Sequence, residues 1–598
     1  MLQSDASHIR FESWWPAFVK PILLKLLKQD DVSHAQWFEL FTTVHKICSW
    51  DDESHHRYTR HCMTTSKVLW TKLNRKKVYL YSHTMSSALN AMLLRVSVHL
   101  DDSSLLRAYK NEWETFFAQC DYLPKPFYSL ENVMKKSTNS AVKQPTSQEN
   151  YVKSLMLTCW NESIFSKIKH RLQDSAMHLV ELERCGEAFD SQLVIGVRES
   201  YVNLSSEQSQ NILGIYEENF EKAYLEHTEQ FYEVKAPEFL AEHGVKEYML
   251  YAQSKLMEEE IRAKRYLETR AGCESVTKLI ECCVKVLVVK FKDTILAECP
   301  DMIKTNSTQQ LELMFKLLDR VQDGVVPMLH HLQHFIKEAG LSDMHACAST
   351  ITVDSEQYVE KLLELFRRFT ELVSKAFNMD ARFLTARDMA YKSLVNDTSV
   401  FKLQFASKPK SAAKGQPESK CPELLANYCD MLLRKTPLSK KLTSVDIEKR
   451  LKDLLLILKY VQNKDVFMRF HKAHLTRRLI LETSADNEIE ENMVDWLREI
   501  GMPAEYVNKL ARMFQDIQLS ADLNSEFKEL AKNNRENSAD VNIKILNGGA
   551  WTRASERISV SLPAQLEDFI PTIEDFYKRK HNGRKLHWNN LMSNGSSL

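Results

Sequence analysis

Glycine and proline are scarce in this chain of 598 residues: it has 13 Gly and 15 Pro, where typical usage would give roughly 42 and 30. With so few breakers, and with Leu, Lys, Glu, Gln and Met abundant, the composition calls for a mainly α-helical protein. Charge of one sign is missing too. Lys plus Arg and Asp plus Glu are 80 each, which removes a global polyanion-binding field and leaves only local basic patches open. The 12 Cys include no CxxC pair, so neither a zinc framework nor a disulfide scaffold is expected. Reduced, mostly buried thiols fit a cytoplasmic or nuclear protein. The longest apolar run, near Leu279 to Phe291, carries Glu281, Lys285 and Lys290 and reads as a buried helix, not a membrane span. The start, MLQSDASHIRFESWW, lacks the basic-then-apolar order of a secretory signal. P-loop, GxGxxG, HExxH and GxSxG patterns are all absent. No nucleophile, base and orienting group share a recognisable spacing, so no catalytic residue and no cofactor is expected.

What the chain does have is helix after helix. From about residue 9 to 400 it reads as successive amphipathic helices with short connections, the pattern of stacked helical repeats, although no strict sequence period is visible. Ser33 with Gln36 forms a capping box opening a helix over Ala35 to Cys48. Asn211 to Tyr232 is a helix, Ala236-Pro237 and His243-Gly244 punctuate the chain, and Val245 to Arg270 is a long helix. Lys135 to Asn150 and Ala406 to Pro422 read as polar loops, the second as the main domain boundary. Thr443 and Asp446 cap a helix with Ile447, Leu451, Leu454, Leu455, Leu458 and Val461 at helical period. A helix near Glu488 to Ile500 ends at Gly501, and Pro503 starts the next. Near Val541 the period changes. Val541, Ile543 and Ile545 alternate with Asn542, Lys544 and Leu546 as in a strand. Asn547-Gly548-Gly549 is a turn, and Arg557 to Leu562 and Gly583 to Trp588 are further strand candidates.

The segment Asn463 to Leu481 (NKDVFMRFHKAHLTRRLIL) contains no breaker and shows two apolar faces when wound as a helix. Val466, Phe470, Ala473, Ile480 and Leu481 form one; Met468, Leu475 and Leu479 form the other. Arg469 and Arg478 fall between them, and Lys472 at an edge. Arg477 interrupts the first face and is therefore the cation expected to need a partner inside the domain. Apolar on two sides, the helix is expected at the centre of a bundle.

Several clusters invite chemical readings. His330, His331 and His334 could place two imidazoles on one helix face, but no third metal ligand is evident, so no metal is expected. Cys282-Cys283 reads as buried inert thiols, and Glu258-Glu259-Glu260 as a solvated helix face. On the helix near the amino terminus, Trp37, Leu40, Phe41, Val44 and Cys48 share an arc. Phe38 and His45 sit about 60–100° from its centre, and Trp50 with Asp51-Asp52 follows. This is either a wide core face or a partner surface, since aromatic anchors beside charges are typical of interface hot spots.

DVFMRFHKAHLTRRLI, with Leu475, Arg478, Leu479 and Ile480, is similar to the most recognisable stretch of the cullin family, whose usual aromatic is here His471. Tyr216 to Tyr232, Glu258 to Leu267, Trp160 to Met177, Gly186 to Leu204, Cys421 to Ser444 and Gly583 to Trp588 also resemble cullin segments. The likeness spans most of 9–594. It implies an elongated stalk of three cullin repeats (1–385, with the adaptor-binding tip at about 9–131). A helical bundle (386–530) and the start of a small α/β part (531–598) would follow. By the same resemblance the chain would be a scaffold. Its tip would bind Elongin C, with Elongin B and SOCS-box receptors, through Trp37, Phe38, Phe41, Trp50 and Asp52, and through Leu123 and Tyr128 in DYLPKPFYSL. Val541, Ile543 and Ile545 would offer a strand edge to a RING-box protein, which recruits a ubiquitin-conjugating enzyme.

Two departures accompany the likeness. His55 to Arg95 departs from the family pattern between the two adaptor elements. The family also continues past SNG, so the rest of the sheet and the lysine that accepts a ubiquitin-like modifier are absent. On that ground the RING-box partner is expected to be held weakly or not at all. Two other readings stand beside the scaffold: a generic α-solenoid tether, and a truncated scaffold that inhibits by sequestering receptors. Neither nucleic acid nor membrane is an expected partner.

Overall fold

The computed structural model describes residues 14–58, 63–129, 131, 151–204, 213–270, 272–351, 353–399, 419–533, 542–551 and 569–589; for 47–58, 63–77 and 531–533 the description is of backbone alone. The architecture is helical. Among the described residues there is no strand, only an isolated bridge between Arg434 and Ser484. The chain divides into two compact units, Met1–Asp293 and Thr294–Leu598. The loop expected at Lys135 to Asn150 and the strand expected at Arg557 to Leu562 lie outside the described residues, as does nearly all of Ala406 to Pro422.

In the first unit, α1 (His34–Tyr58), α2 (Met63–Ser97) and α3 (Asp102–Tyr122) precede the long α4 (Lys222–Tyr266) and α5 (Ser275–Leu287). The capping box forms as its residues demand. Ser33 N–H donates to Gln36 Oε1 at 3.1 Å, and Gln36 N–H to Ser33 Oγ at 3.3 Å. Aromatic packing supplies much of the core: Trp160 is fully buried, stacked on Phe116 at 4.5 Å and edge-on to Trp113 at 5.4 Å.

Helix α4 folds back on itself. Pro237 does not end it, because a proline forfeits one helix hydrogen bond and the turns just before it stay anchored by buried Tyr232 and Ala236. Gly244 makes the turn, with φ 77° and ψ 175°, a conformation costly to any residue with a Cβ. Folding back puts Tyr232 against Glu259, its phenol donating to Oε1 at 2.9 Å.

Glu259 corrects the solvated-face reading of Glu258 to Glu260, because it is fully buried. Three consecutive helical residues sweep about 200°, so one of them must face inward. Arg184 Nε and Nη2 donate to Glu259 at 2.9 and 3.1 Å, and Arg262 Nη1 donates at 2.6 Å. Burial opposes the carboxylate, but these two guanidiniums and Tyr232 outweigh it and hold its pKa below the ordinary value.

The second unit contains α6 (Val326–Ala346), α7 (Cys421–Leu433), α8 (Ser444–Leu458), α9 (Lys464–Leu481), α10 (Asn487–Glu499), α11 (Ala504–Asn533) and α12 (Phe569–Lys580). Thr443 and Asp446 close a reciprocal capping box on α8. Helix α9 matches the expected span, but its two-faced reading needs correction. Of the two predicted faces Val466, Leu475 and Leu479 are buried, together with Phe467, His471, Thr476 and Arg478, while Ala473 and Arg477 are exposed and Leu481 is 41% exposed. The cation that needs an internal partner is therefore Arg478, not Arg477. Its Nε and Nη2 donate to Glu490 at 2.6 and 3.0 Å and its Nη1 to Asp430 at 2.6 Å. Apolar periodicity could not reveal this, because a guanidinium satisfied on all sides occupies a core position as a large planar group.

His471 stacks on Phe467 at 5.3 Å, and its Nδ1 lies 2.7 Å from Tyr506 Oη. Burial, then the charges of Arg478 and His474, push its pKa down to about 3. The unfolded chain binds this proton below about 6.5 and the folded chain does not, so stability is full above that pH and falls as pH drops toward 3. At pH 5.5 the loss from this residue is on the order of 1 kcal/mol. His471→Phe, measured by urea unfolding at pH 7.5 and 5.5, should remove that part of the acid sensitivity. An unchanged difference between the two pH values would contradict it.

The strand expected at Val541 to Leu546 does not form among its described residues 542–546, nor does one at Gly583 to Trp588. Their alternating apolar residues instead pack on helices: Ile543 and Leu586 lie against Phe527, Ile573 and Phe576. Val541 lies outside the described residues.

Candidate functional site

The residues singled out in the first unit gather where α1 meets the chain just after α3. Trp37 is half-buried, its ring 6.3 Å from Tyr122, and Leu40 and Val44 are buried beneath. His45 Nδ1 lies 2.9 Å from Ser129 Oγ and ties the helix to the segment after α3. That segment is set from below by Leu123 and Phe127, both fully buried, with Phe127 edge-on to Tyr81 at 4.9 Å. Tyr81 in turn packs on Trp15, whose Nε1 donates to Thr84 Oγ1 at 3.2 Å.

On this foundation Phe38 is 67% exposed, Tyr128 60% and Phe41 41%. Three aromatics so open carry a large unspent apolar surface. Phe38, Phe41 and His45 are spaced to form one stripe along α1, and the His45 to Ser129 contact brings that stripe beside Tyr128. Leu123 is placed otherwise than its site role requires. Being fully buried, it supports the surface from inside and has no side-chain area to offer. Trp50 and Asp52 lie on the backbone of α1; their side chains are outside the description. His45 and Ser129 were not singled out together by the sequence, because nothing in it pairs residues so far apart.

In the second unit the segment 542–547 runs alongside α11. Ile543 N–H donates to Asn524 Oδ1 at 2.9 Å, and Asn524 Nδ2 donates back to Ile543 O. Ile545 N–H donates to Ser520 Oγ at 2.8 Å, whose hydroxyl donates to Ile545 O at 2.8 Å. Asn547 N–H reaches Asp516 Oδ2 at 2.9 Å, and Trp551 Nε1 reaches the same oxygen at 2.8 Å. Lys544 Nζ crosses to α9, donating to the carbonyls of Leu479 and Ile480 at 3.0 and 2.8 Å beside Glu482. It thereby caps the end of that helix.

His330 and His334 are exposed on α6, with His334 Nε2 3.2 Å from Glu338. Among the described residues no three His, Cys, Asp or Glu side chains come together as metal ligands. Burial pushes the Cys282 thiol up to about 11 and that of Cys283 further, which disfavours thiolate chemistry. No helix among the described residues is long and apolar enough to cross a membrane.

A family model for the cullin alpha solenoid domain matches residues 17–524, and one for the cullin alpha+beta domain matches 545–597. The chain is 44% identical to Cullin-5 of Caenorhabditis elegans over 597 residues, 99% of this chain and 74% of that protein. It is 29% identical to Cullin-1 of Dictyostelium discoideum over 528 residues, 87% of this chain and 65% of that protein. Against Cullin-1 of Caenorhabditis elegans the identity is 30% over 510 residues, 83% and 63% of the two chains. The chain thus spans about two thirds to three quarters of the length of these relatives.

Proposed function

The chain belongs to the cullin family, and from that membership we propose that it is the non-catalytic scaffold of a cullin-RING ubiquitin ligase. The first unit would carry the adaptor surface at its tip, inside a stalk running to about residue 385. Its partner there would be Elongin C, with Elongin B and a SOCS-box receptor. The 386–530 bundle and the 531–598 part would hold the RING-box protein, with its extended tail along 542–547. This is the weaker of the two contacts, because so short an edge offers only a handful of main-chain hydrogen bonds. The chain would act in the cytoplasm and nucleus. Its contribution to rate would be proximity: receptor-bound substrate and the ubiquitin-conjugating enzyme on one body raise effective concentration without a reacting side chain here.

The observation that carries the adaptor assignment is the exposed stripe of Phe38 and Phe41 beside Tyr128. Phe38→Ala and Tyr128→Ala should each reduce capture of the Elongin B–Elongin C–receptor complex by roughly 10- to 100-fold, the range of aromatic hot spots. Met257→Ala, 54% exposed on α4, should leave it unchanged. Equal capture by all three variants would refute the surface.

A further inference from the structure

We infer that Asp516, Ser520 and Asn524 of α11 form a side-chain rail that holds 543–547 as a ready-made half-strand and presents its outer edge to one added strand. The inference rests on the reading that a RING-box protein's extended tail docks along this segment. It adds what makes that docking productive: a positioning device on a neighbouring helix.

The geometry is a matching of two repeats. Asp516, Ser520 and Asn524 are four residues apart on one helix face and rise about 6 Å from one to the next. Alternate residues of an extended chain rise about 6.6–6.8 Å. The rail therefore meets Asn547, Ile545 and Ile543 in turn, running antiparallel, and Lys528 Nζ continues it by donating to Asn542 Oδ1 at 2.7 Å. Ser520 and Asn524 each bond both the N–H and the C=O of their residue, as a neighbouring strand would.

In an extended chain the two peptide groups of one residue point to one side and those of the next residue to the other. Occupation at 543 and 545 therefore turns those of Lys544 and Leu546 outward. Among the described residues neither of these two makes a main-chain hydrogen bond. An edge of alternating free donors and acceptors fits another extended backbone and not a helix or an anion.

Register is fixed from two further directions. Lys544 Nζ is held by the carbonyls of Leu479 and Ile480, and Ile543 packs among Phe527, Ile573 and Phe576. A slip of one residue would break both contacts and turn the rail's bonds to the wrong residues. Side chains so placed act through the segment they hold, so all three are positioning residues.

The test uses the full chain with Ser520→Val, Asn524→Leu and the conservative Ser520→Thr. It reads residue-resolved amide exchange and binding of the RING-box protein, with unchanged amide protection in α9 and α10 confirming that the second unit of each variant is folded. In the free wild-type chain the amides of Ile543 and Ile545 should exchange slowly and those of Lys544 and Leu546 fast. Adding the RING-box protein should slow the second pair. Ser520→Val and Asn524→Leu should each weaken binding by roughly tenfold, while Ser520→Thr, which keeps the hydroxyl, stays within about twofold. Unchanged binding in both disruptive variants sinks this inference alone. So does an edge already slow in the free chain, or one paired with a second copy. A wild-type chain that fails to bind the RING-box protein at all sinks the reading beneath it as well.

Discussion

Replacing Arg478 by Met should destabilise the second unit by about 3–5 kcal/mol, the cost of breaking a buried ion pair from one side. Its side chain is 1% exposed, Glu490 2% and Asp430 8%. Burial alone would lower the guanidinium's pKa; the charge of Glu490, its hydrogen bonds and the charge of Asp430 reverse that and raise it. Among the described residues, removing the cation leaves Glu490 with no counter-ion and Asp430 with only the half-exposed Arg434 at 3.4 Å, in a poorly hydrated site. Ser484, which donates to Glu490 at 2.9 Å, cannot neutralise either. Arg478→Lys should recover little, because an ammonium cannot fork to Glu490 while also meeting Asp430. The exposed neighbour is the internal control: Arg477→Met should change stability by less than about 0.5 kcal/mol. Denaturant unfolding, followed by amide exchange in α9 and α10, separates the second unit's transition from that of the first. Equal effects of the two substitutions would contradict the assignment.

Glu259→Ala should be the most damaging change in the first unit, again by about 3–5 kcal/mol. Here the removed group is the anion. Arg184, with a 2% exposed side chain, would lose both of its bonds to Glu259 and keep only Thr228 Oγ1 at 2.6 Å. Tyr232 would lose its acceptor, and Arg262 would retain Glu258 and Glu183. Cation–π contact with Tyr224 at 5.6 Å and Phe231 at 5.5 Å leaves Arg184 far short of a counter-ion. Glu259→Gln, which keeps an acceptor for Tyr232, should cost less than Ala. Glu258→Ala, one residue away and partly exposed, should cost under about 1 kcal/mol. If Glu258→Ala and Glu259→Ala unfold at the same denaturant concentration, the buried network is not what holds α4 to its neighbours.

Both predictions concern residues whose importance the sequence concealed. Helical period located α9 almost to the residue, and capping chemistry located α1 and α8. These are local signals: a breaker, a cap, an apolar repeat. Which of two adjacent arginines turns inward is not local. It is decided by Glu490 and Asp430, on two other helices, and no pattern within Asn463 to Leu481 encodes them. Glu259 was hidden for the same reason, since its partner Arg184 lies on a different helix.

The candidate surfaces divide similarly. Phe38 was legible because it sits off the apolar arc of its own helix. Leu123 was not, because the fold of the loop after α3 decides that it points inward. The alternation at Val541 to Leu546 marked a stretch that is not helical in its described residues, although no strand forms there. It could not say that the neighbour would be a helix. The complementary signal was present: Asp516, Ser520 and Asn524 repeat every four residues on a predicted helix, a run of short polar side chains capable of pairing with a backbone.

The central claim is that one chain carries two partners at once. It is tested most directly by measuring the mass of the complex formed when the chain, an Elongin B–Elongin C–receptor complex and a RING-box protein are mixed above their dissociation constants. The scaffold account predicts a single species containing one copy of each, from which Phe38→Ala removes only the Elongin arm and Asn524→Leu weakens only the RING-box arm. Two separate binary complexes that never share one copy of this chain, or no complex with either partner, would contradict it.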